Sequence, residues 1–247
     1  MSQFKLTYKA FGSRAILIEW PPKILETILY DILKFKQRIV NHYSDFSDIS
    51  TAYNSLTIYL NKDIKNIDKE IDTLNQIYFL GIDKQLTDNY IWHIPVCYDN
   101  SLAKDLSAFL KLKNLNVKQL INCHSSPLYI VYFLGFLPGF PYLGGLPNDL
   151  HTPRKSKPEL AIPKGAVGIG GQQTGIYPQD SPGGWHIIGK TPLPLFDVSK
   201  NLPCLLKAGD KIKFESVSVA IFNDIENQIV ANKYTYKKEA LCLEYKS

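Results

Sequence analysis

Side chains that could carry chemistry are concentrated between His124 and Asp197, in loops rich in glycine and proline. Twelve of the 15 glycines and 11 of the 15 prolines lie between Pro127 and Asp197. Turns alone would explain this high content of glycine and proline. Turns do not, however, require the polar and aromatic side chains that accompany these residues here. Those side chains occur in three segments, 124–129 (HSSPLY), 135–145 (GFLPGFPYLGG) and 170–178 (GGQQTGIYP), the last running into 181–185 (SPGGW). Because glycine admits a ligand close to the backbone and proline stiffens a loop, we predict a small-ligand site here.

Several residues of these segments are candidates for contacts with a small polar ligand. Gln173, Tyr177 and Trp185 combine hydrogen-bonding and stacking groups. Phe140 and Tyr142 add aromatic surface for substrate binding. Arg154, in a loop rich in Lys and Pro, is a candidate anion contact, although a solvated charge also explains it.

His124 has two interpretations. It ends a predicted helix, where a histidine can simply interact with the helix dipole. It is equally able to face the site as a general base or carbonyl polariser. Its neighbour Cys123 is not expected to pair with it, since adjacent helical residues point in different directions. His93, His151 and His186 are interpreted as packing or surface residues.

The segment from Gly184 to Thr191 matches the Walker A pattern but lacks its physical basis. That motif needs a small flexible loop followed by a helix whose amides hold phosphate. Here the loop interior is Trp-His-Ile-Ile, which is typical of a strand, and Pro192 and Pro194 would interrupt a following helix. We therefore reject it as a phosphate-binding loop.

The bulk composition excludes several classes of protein. The net charge of +5 is spread over interleaved charges, unlike the basic stripe of a nucleic-acid binder. The first residues lack the pattern of a signal peptide, and the most apolar run, 128–137, is too short to cross a membrane. Cys97, Cys123, Cys204 and Cys242 are widely spaced, so we expect reduced thiols, no metal site and a cytoplasmic location.

Hydrophobic periodicity predicts an α+β chain of two domains. Residues 1–88 follow a ββαβα order, which suggests a small open sheet with helices on one face. Pro21-Pro22 is predicted to end the second strand and start the first helix. Residues 89–225 begin with a predicted strand at 92–96, which two short helices follow, at roughly 101–111 and 117–123. Short strands between Gly/Pro turns come next, including 159–162, 205–206, 211–214 and 217–222, which favours a closed or sandwiched β structure. Residues 226–247 are polar and are predicted to form a surface extension.

The glycine- and proline-rich segments also resemble a known family, allophanate hydrolase subunit 1. The resemblance runs in order through His124, 135–143, Pro153-Arg154, 170–178, 181–185 and 188–191 to Phe196-Asp197, and so covers nearly all of the second domain. The family includes the B subunit of 5-oxoprolinase, the kinase inhibitor KipI and part of the carboxyltransferase region of urea carboxylase. For the fold, the resemblance implies a cyclophilin-like β-barrel after a small α/β domain.

For function, the resemblance to 5-oxoprolinase implies cleavage of 5-oxo-L-proline to L-glutamate. The reaction would consume ATP, with Mg, and would require a directly bound C subunit and a further A subunit, so the chain would be inactive alone. Carried onto this chain, His124 would be the acid/base group, Gln173 and Tyr177 would orient the amide, and Trp185 would form a wall. The amides of Gly170 and Gly171 would hold an oxyanion.

The resemblance leaves two other functions open. One is a KipI-like protein that binds and inhibits a sensor histidine kinase; the other is an allophanate hydrolase or urea carboxylase type of component.

One loop departs from the family pattern. Where family members tend to have Arg-Leu-x-Val-Pro-Ala-Gly-Ser, this chain has ELAIPKGA at 159–166. The loss of the Arg and the Ser argues against anion binding by that loop.

Overall fold

The chain, described by a computed structural model at residues 4–80 and 89–241, divides into two compact units. The units are Met1–Thr87 and Asp88–Ser247. Cys242, predicted to be a reduced thiol, and the predicted boundary at 88 lie outside the described residues. None of the helices within those residues is long and apolar enough to cross a membrane.

The first unit is a four-stranded antiparallel sheet with two helices. Its elements, in chain order, are β1 Thr7–Ala10, β2 Ala15–Glu19, α1 Glu26–His42, β3 Asp48–Thr51, β4 Ser55–Tyr59 and α2 Ile67–Tyr78. The strand order in the sheet is β1-β2-β4-β3. Alternate residues of β2 and β4, such as Ile16, Ile18 and Leu56, are buried with the apolar stripe of α1, because alternation places them on one face.

The sequence prediction for this unit missed β3. The short run Asp48–Thr51 contains one buried apolar residue, Ile49, which is too little for a recognisable alternation. It becomes a strand by pairing with β4 at the edge of the sheet. The helix predicted to start at Pro21-Pro22 begins only at Glu26.

The second unit is built on an eight-stranded sheet. Its strands are β5 Tyr90–Val96, β6 Tyr129–Leu134, β7 Pro141–Gly144, β9 Ala166–Gly170, β10 Gln173–Ile176, β12 His186–Lys190, β13 Lys211–Ser216 and β14 Lys238–Ala240. Their spatial order is β12-β9-β10-β7-β6-β13-β5-β14, and β8 Glu159–Ile162 pairs separately with β11 Ser181–Gly183. All the pairs are antiparallel except β13 with β5. The helices are α3 Leu106–Lys113, α4 Val117–Ser125 and α5 Val219–Val230.

One isolated bridge links the edge strand β12 to the residue that follows β5, the strand beside the other edge. Cys97, just after β5, forms an isolated antiparallel bridge with Lys190, the last residue of β12. Their reciprocal hydrogen bonds measure 2.8 and 3.0 Å between N and O. Pro192 and Pro194 follow β12 and lack the amide hydrogens that would extend this pairing. The described residues of this unit thus form a mixed α/β structure whose strand ladder is not closed.

The C-terminal part differs from its prediction. The run 217–222 is not a strand: Ser218 caps α5, its hydroxyl accepting a hydrogen bond from the amide of Ile221. Phe222 and Ile225 of that helix are buried, and β14 extends the sheet beside β5. The predicted surface extension at 226–247 therefore contributes a helix and an edge strand. Leu205-Leu206, also predicted as a strand, is irregular.

Candidate functional site

A cavity of about 270 Å³ opens in the second unit between the loops that the sequence singled out. Its lining comes from the loops around β7, β11 and β12 and consists of Phe136, Phe140, Tyr142, Arg154, Pro158, Tyr177, Pro182, Gly183, Gly184 and Trp185. Five of these are residues predicted to bind substrate or take part in catalysis. The structure therefore places Phe140, Tyr142, Arg154, Tyr177 and Trp185 around one space.

The aromatic residues of the cavity form a cage held by edge-to-face contacts. The ring of Phe140 lies with its centroid 5.2 Å from that of Tyr177 and 5.5 Å from that of Trp185, at interplanar angles of 84° and 83°. Tyr142 contacts Trp185 with a centroid distance of 6.1 Å. Such perpendicular contacts are favoured by the ring quadrupoles. Phe140, Tyr177 and Trp185 are each at most 4% exposed, so the cage is rigid.

Glycines make room for these rings. A Cβ atom on Gly170 would lie 2.6 Å from the indole of Trp185, and one on Gly175 would lie 3.0 Å from both Phe140 and Trp185. The glycine-rich segment therefore does more than turn the chain. It lets the indole of Trp185 lie directly on β9 and β10.

The cage carries one charged group. The guanidinium carbon of Arg154 lies 5.7 Å from the centroid of the Trp185 ring, over its face. Burial raises the pKa of Tyr177 to about 12, although the nearby charge of Arg154 lowers it somewhat. The pKa of Tyr142 is likewise raised by burial and opposed by Arg154. Both phenols are thus neutral near pH 7 and able to donate a hydrogen bond.

Phe136, which the sequence analysis did not select, stands at the cavity mouth in an unusual backbone conformation. Its φ angle is +65°, and its side chain is 61% exposed. Left-handed backbone is costly for a bulky residue and tends to occur at functional sites. Its ring makes edge contacts with Phe140 and Tyr177. The signal in the sequence was its place in the segment 135–145.

His124 lies elsewhere, fully buried in the core and away from the cavity lining. Its Nδ1 is 2.8 Å from the hydroxyl of Tyr98, and its Nε2 is 3.0 Å from Oγ1 of Thr174. The Thr174 hydroxyl donates to the carbonyl of Gly168, so its oxygen accepts from Nε2–H, and Tyr98 donates to Nδ1. Burial lowers the pKa of His124 to about 3. The imidazole is therefore neutral, and both of its nitrogens are engaged.

The other predicted residues lie at the tip of the β9–β10 hairpin. Gly171 exchanges two backbone hydrogen bonds with Thr152, so its amide is already engaged, which opposes the predicted oxyanion role. Gly170 lies beneath Trp185. Gln173 is partly exposed and does not line the cavity, although strand alternation places it on the same side of β10 as Gly175.

The segment that matches the Walker pattern does not form a phosphate-binding loop. Residues His186–Lys190 are strand β12, and no helix follows them before Lys211. Within the described part of the chain, no group of three or more His, Cys, Asp or Glu side chains is arranged to hold a metal ion. The site is therefore an aromatic cavity with one cation.

Comparisons with known proteins identify the family of this chain. The carboxyltransferase domain family, subdomain C and D, matches residues 6–206. The chain is 39% identical over 203 residues to the 5-oxoprolinase B subunit of Escherichia coli O157:H7, covering 82% of this chain and 92% of that protein. It is 42% identical over 174 residues to the 5-oxoprolinase B subunit of Haemophilus influenzae, covering 69% of this chain and 79% of the relative.

Solved structures extend the comparison. The crystal structure of TTHA0988 is 29% identical with a TM-score of 0.73 over 83% of this chain, which spans only 40% of that longer one. Urea amidolyase of K. lactis shares the fold, with a TM-score of 0.75 at 20% identity over 96% of this chain and 16% of its own.

The chain belongs to the carboxyltransferase domain family, subdomain C and D. Among its relatives, the bacterial 5-oxoprolinase B subunits are similar to it over at least two thirds of their own length.

Proposed function

We propose that this chain is the B subunit of an ATP-dependent 5-oxoprolinase. In this function it takes part in the cleavage of 5-oxo-L-proline to L-glutamate with hydrolysis of ATP, together with A and C subunits. The observation that carries the proposal is the 39% identity to the E. coli B subunit over 92% of that protein. The cavity adds a site of suitable size for a small ring.

The chemistry of a lactam explains why ATP is needed. The amide is stabilised by resonance, so its oxygen is a poor leaving group. In the proposed reaction, the lactam oxygen attacks the γ-phosphorus of ATP and ADP leaves. One water then adds to the activated carbon, and the C–N bond breaks with proton transfer to nitrogen, which leaves an acyl phosphate. A second water attacks the acyl phosphate, so that phosphate leaves and the side-chain carboxylate of glutamate is formed.

Within this scheme, we propose that the aromatic cage holds the lactam ring. Phe140 and Trp185 supply flat apolar surface, and the neutral hydroxyl of Tyr177 is placed to donate to a ligand oxygen. His124 then acts as a positioning residue, since its bond to Thr174 fixes strand β10, which leads to Tyr177. Gln173 keeps its proposed role of orienting the amide from the same side of β10.

ATP and its magnesium ion are assigned to another part of the complex. The Walker-like segment is a strand, and the cavity of about 270 Å³ is small for a nucleotide. The chain alone is therefore proposed to be inactive and to bind the C subunit directly. A cyclophilin-like barrel and a cytoplasmic location also belong to this proposal.

Reconstitution tests the function. The chain alone should release no glutamate from 5-oxo-L-proline, whereas the chain with A and C subunits should release glutamate and phosphate in equal amounts. Tyr177→Phe should lower turnover while leaving the fold intact, since only a hydroxyl is lost. The A and C proteins are taken from a known enzyme and are shown to be active in a control. If the mixture that contains this chain is then inactive, the proposal is wrong.

A second candidate is a component that acts on urea, supported by the 24% identity to urea amidolyase of Lachancea kluyveri over 98% of this chain and 15% of that protein. The same mixture supplied with urea and bicarbonate in place of 5-oxo-L-proline distinguishes the two. If the mixture turns over urea and does not turn over 5-oxo-L-proline, the second candidate replaces the first.

A further inference from the structure

The charge of Arg154 has no counter-ion among the residues that the structure describes. The neighbouring Lys155 pairs with Asp105 at 2.7 Å and with Glu159 at 3.0 Å between Nζ and carboxylate oxygen. Arg154 makes no ion pair with any residue in the ranges 4–80 and 89–241, and no acidic side chain lines the cavity beside it. A cation left unpaired beside a rigid aromatic cavity is an electrostatic match for an anionic ligand.

The backbone around Arg154 is fixed on both sides. Thr152 exchanges two hydrogen bonds with Gly171, and the amide of Lys155 donates to the carbonyl of Gly184 at 2.8 Å. Between them, Nε2 of His186 lies 3.0 Å from the carbonyl of Pro153. These contacts join the Arg154 loop to the β9–β10 hairpin and to β12. The backbone that carries the guanidinium is consequently held in place, which lowers the entropy cost of ordering this loop when a ligand binds.

The remaining lining defines what the anion must look like. The walls are aromatic rings and prolines, and the phenols of Tyr142 and Tyr177 are uncharged donors. Such a cavity suits a small, flat ring that bears a single carboxylate and a carbonyl oxygen. A planar guanidinium accepts a carboxylate through two parallel hydrogen bonds, a geometry that lysine cannot reproduce.

We propose that Arg154, stacked on Trp185, is the residue that selects a carboxylate-bearing lactam, binding the α-carboxylate while the ring lies in the aromatic cage. This inference rests on the proposed function for the identity of the ring. Such an arrangement would let the site distinguish 5-oxo-L-proline from the neutral amide of the same ring. Arg154 is a specificity residue rather than a proton donor.

The test compares 5-oxo-L-proline with 5-oxo-L-prolinamide, in which a carboxamide replaces the carboxylate. Binding of each to the full chain is measured by ligand-observed NMR, and KM and kcat are measured in the complex with A and C subunits. Arg154→Gln should weaken binding of the acid roughly 10- to 100-fold and leave the amide within about 3-fold. Arg154→Lys should be intermediate, and the effect should fall on KM more than on kcat.

Lys157→Gln is the matched control. It removes a positive charge from the same exposed loop but lies outside the cavity lining, so the acid-to-amide preference should be unchanged. The inference is overturned if the Arg154→Gln protein keeps the wild-type preference for the acid over the amide. It is also overturned if the wild-type chain binds neither compound, whether alone or in the complex. If the preference shifts as expected but the complex does not cleave 5-oxo-L-proline, Arg154 selects carboxylates and the proposed function fails.

Discussion

At the scale of single residues, His124 and Arg154 show how surroundings decide the use of an ionisable group. His124 is sealed in the core, stacked on Phe214 with ring centroids 4.6 Å apart, and satisfied by two hydroxyls. Arg154 is exposed to solvent and lies over the indole ring of Trp185. A buried imidazole with both nitrogens engaged contributes to stability, whereas an unpaired guanidinium at a cavity is available to a ligand.

The buried His124 predicts a pH-dependent stability. Its pKa falls from 6.5 in the unfolded chain to about 3 in the folded one, so the unfolded state binds more protons between these values. Stability is therefore fully present above pH 6.5 and is lost as pH falls towards 3, by roughly 4–5 kcal/mol from this group. Urea titrations at pH 7, 5 and 4 measure the slope.

His124→Gln supplies the comparison, because glutamine is polar but does not titrate. We expect this variant to be about 1–3 kcal/mol less stable than the wild type at pH 7. Its free energy of unfolding should also fall less steeply as the pH decreases, because the contribution of His124 is missing. Equal slopes in both proteins would contradict the buried neutral state. A variant with unchanged stability but no activity in the complex would restore the acid–base role of His124.

At the scale of elements, the packing of Trp185 on the β9–β10 hairpin leaves no room for an added methyl group on Gly170. Gly170→Ala places a methyl group 2.6 Å from the indole, so the ring must move. We expect a loss of about 1–3 kcal/mol in stability and weaker ligand binding. Gly184→Ala is the control, since its new Cβ would meet nothing closer than 3.6 Å. Similar urea midpoints for the two variants would show that Trp185 does not rest on Gly170.

The C-terminal strand β14 is expected to matter despite its exposure. It covers the edge of β5, where His93 lies between Glu215 and Glu239 with nitrogen–oxygen distances of 2.6 and 2.8 Å. A chain ending at Lys233 leaves that edge unpaired, and unpaired edges promote association between chains. Light scattering should therefore show aggregation of the shortened protein. A truncated chain that stays monomeric, with an unchanged midpoint, would contradict this role.

The sequence predicted elements wherever a pattern was long or unambiguous. The strands at 159–162 and 211–214 and the helix after Asn116 were recognised from alternation and helical spacing. The run 217–222 was misassigned because a short apolar run fits either period, although Ser218 as an N-cap was a usable signal. Most residues of the aromatic cage could be selected as candidates from the sequence because they lie in distinctive glycine- and proline-rich segments. The burial of His124 was not, since it depends on Tyr98 and Thr174, distant along the chain.

At the scale of the whole molecule, two separate hydrophobic cores define the chain. One contains Ile16, Leu56 and Trp20, and the other contains Leu143, Trp92 and Trp185. Each core is assembled from its own sheet and helices, so each is expected to unfold as its own cooperative unit. The tryptophans report on them separately, with Trp20 in the first and the other two in the second.

Removing a buried leucine from one core should therefore move only the transition of that unit. Leu56→Ala in β4 should cost the first unit about 2–5 kcal/mol, and Leu143→Ala in β7 should cost the second a similar amount. Both leucines are fully buried, which makes them matched probes. In a Trp20→Phe background, tryptophan fluorescence reports on the second unit alone. In the chain that keeps Trp20, the fluorescence also reports on the first unit. Leu56→Ala should leave the Trp92 and Trp185 transition in place, and a single transition that shifts with either substitution would mean that the two cores unfold as one.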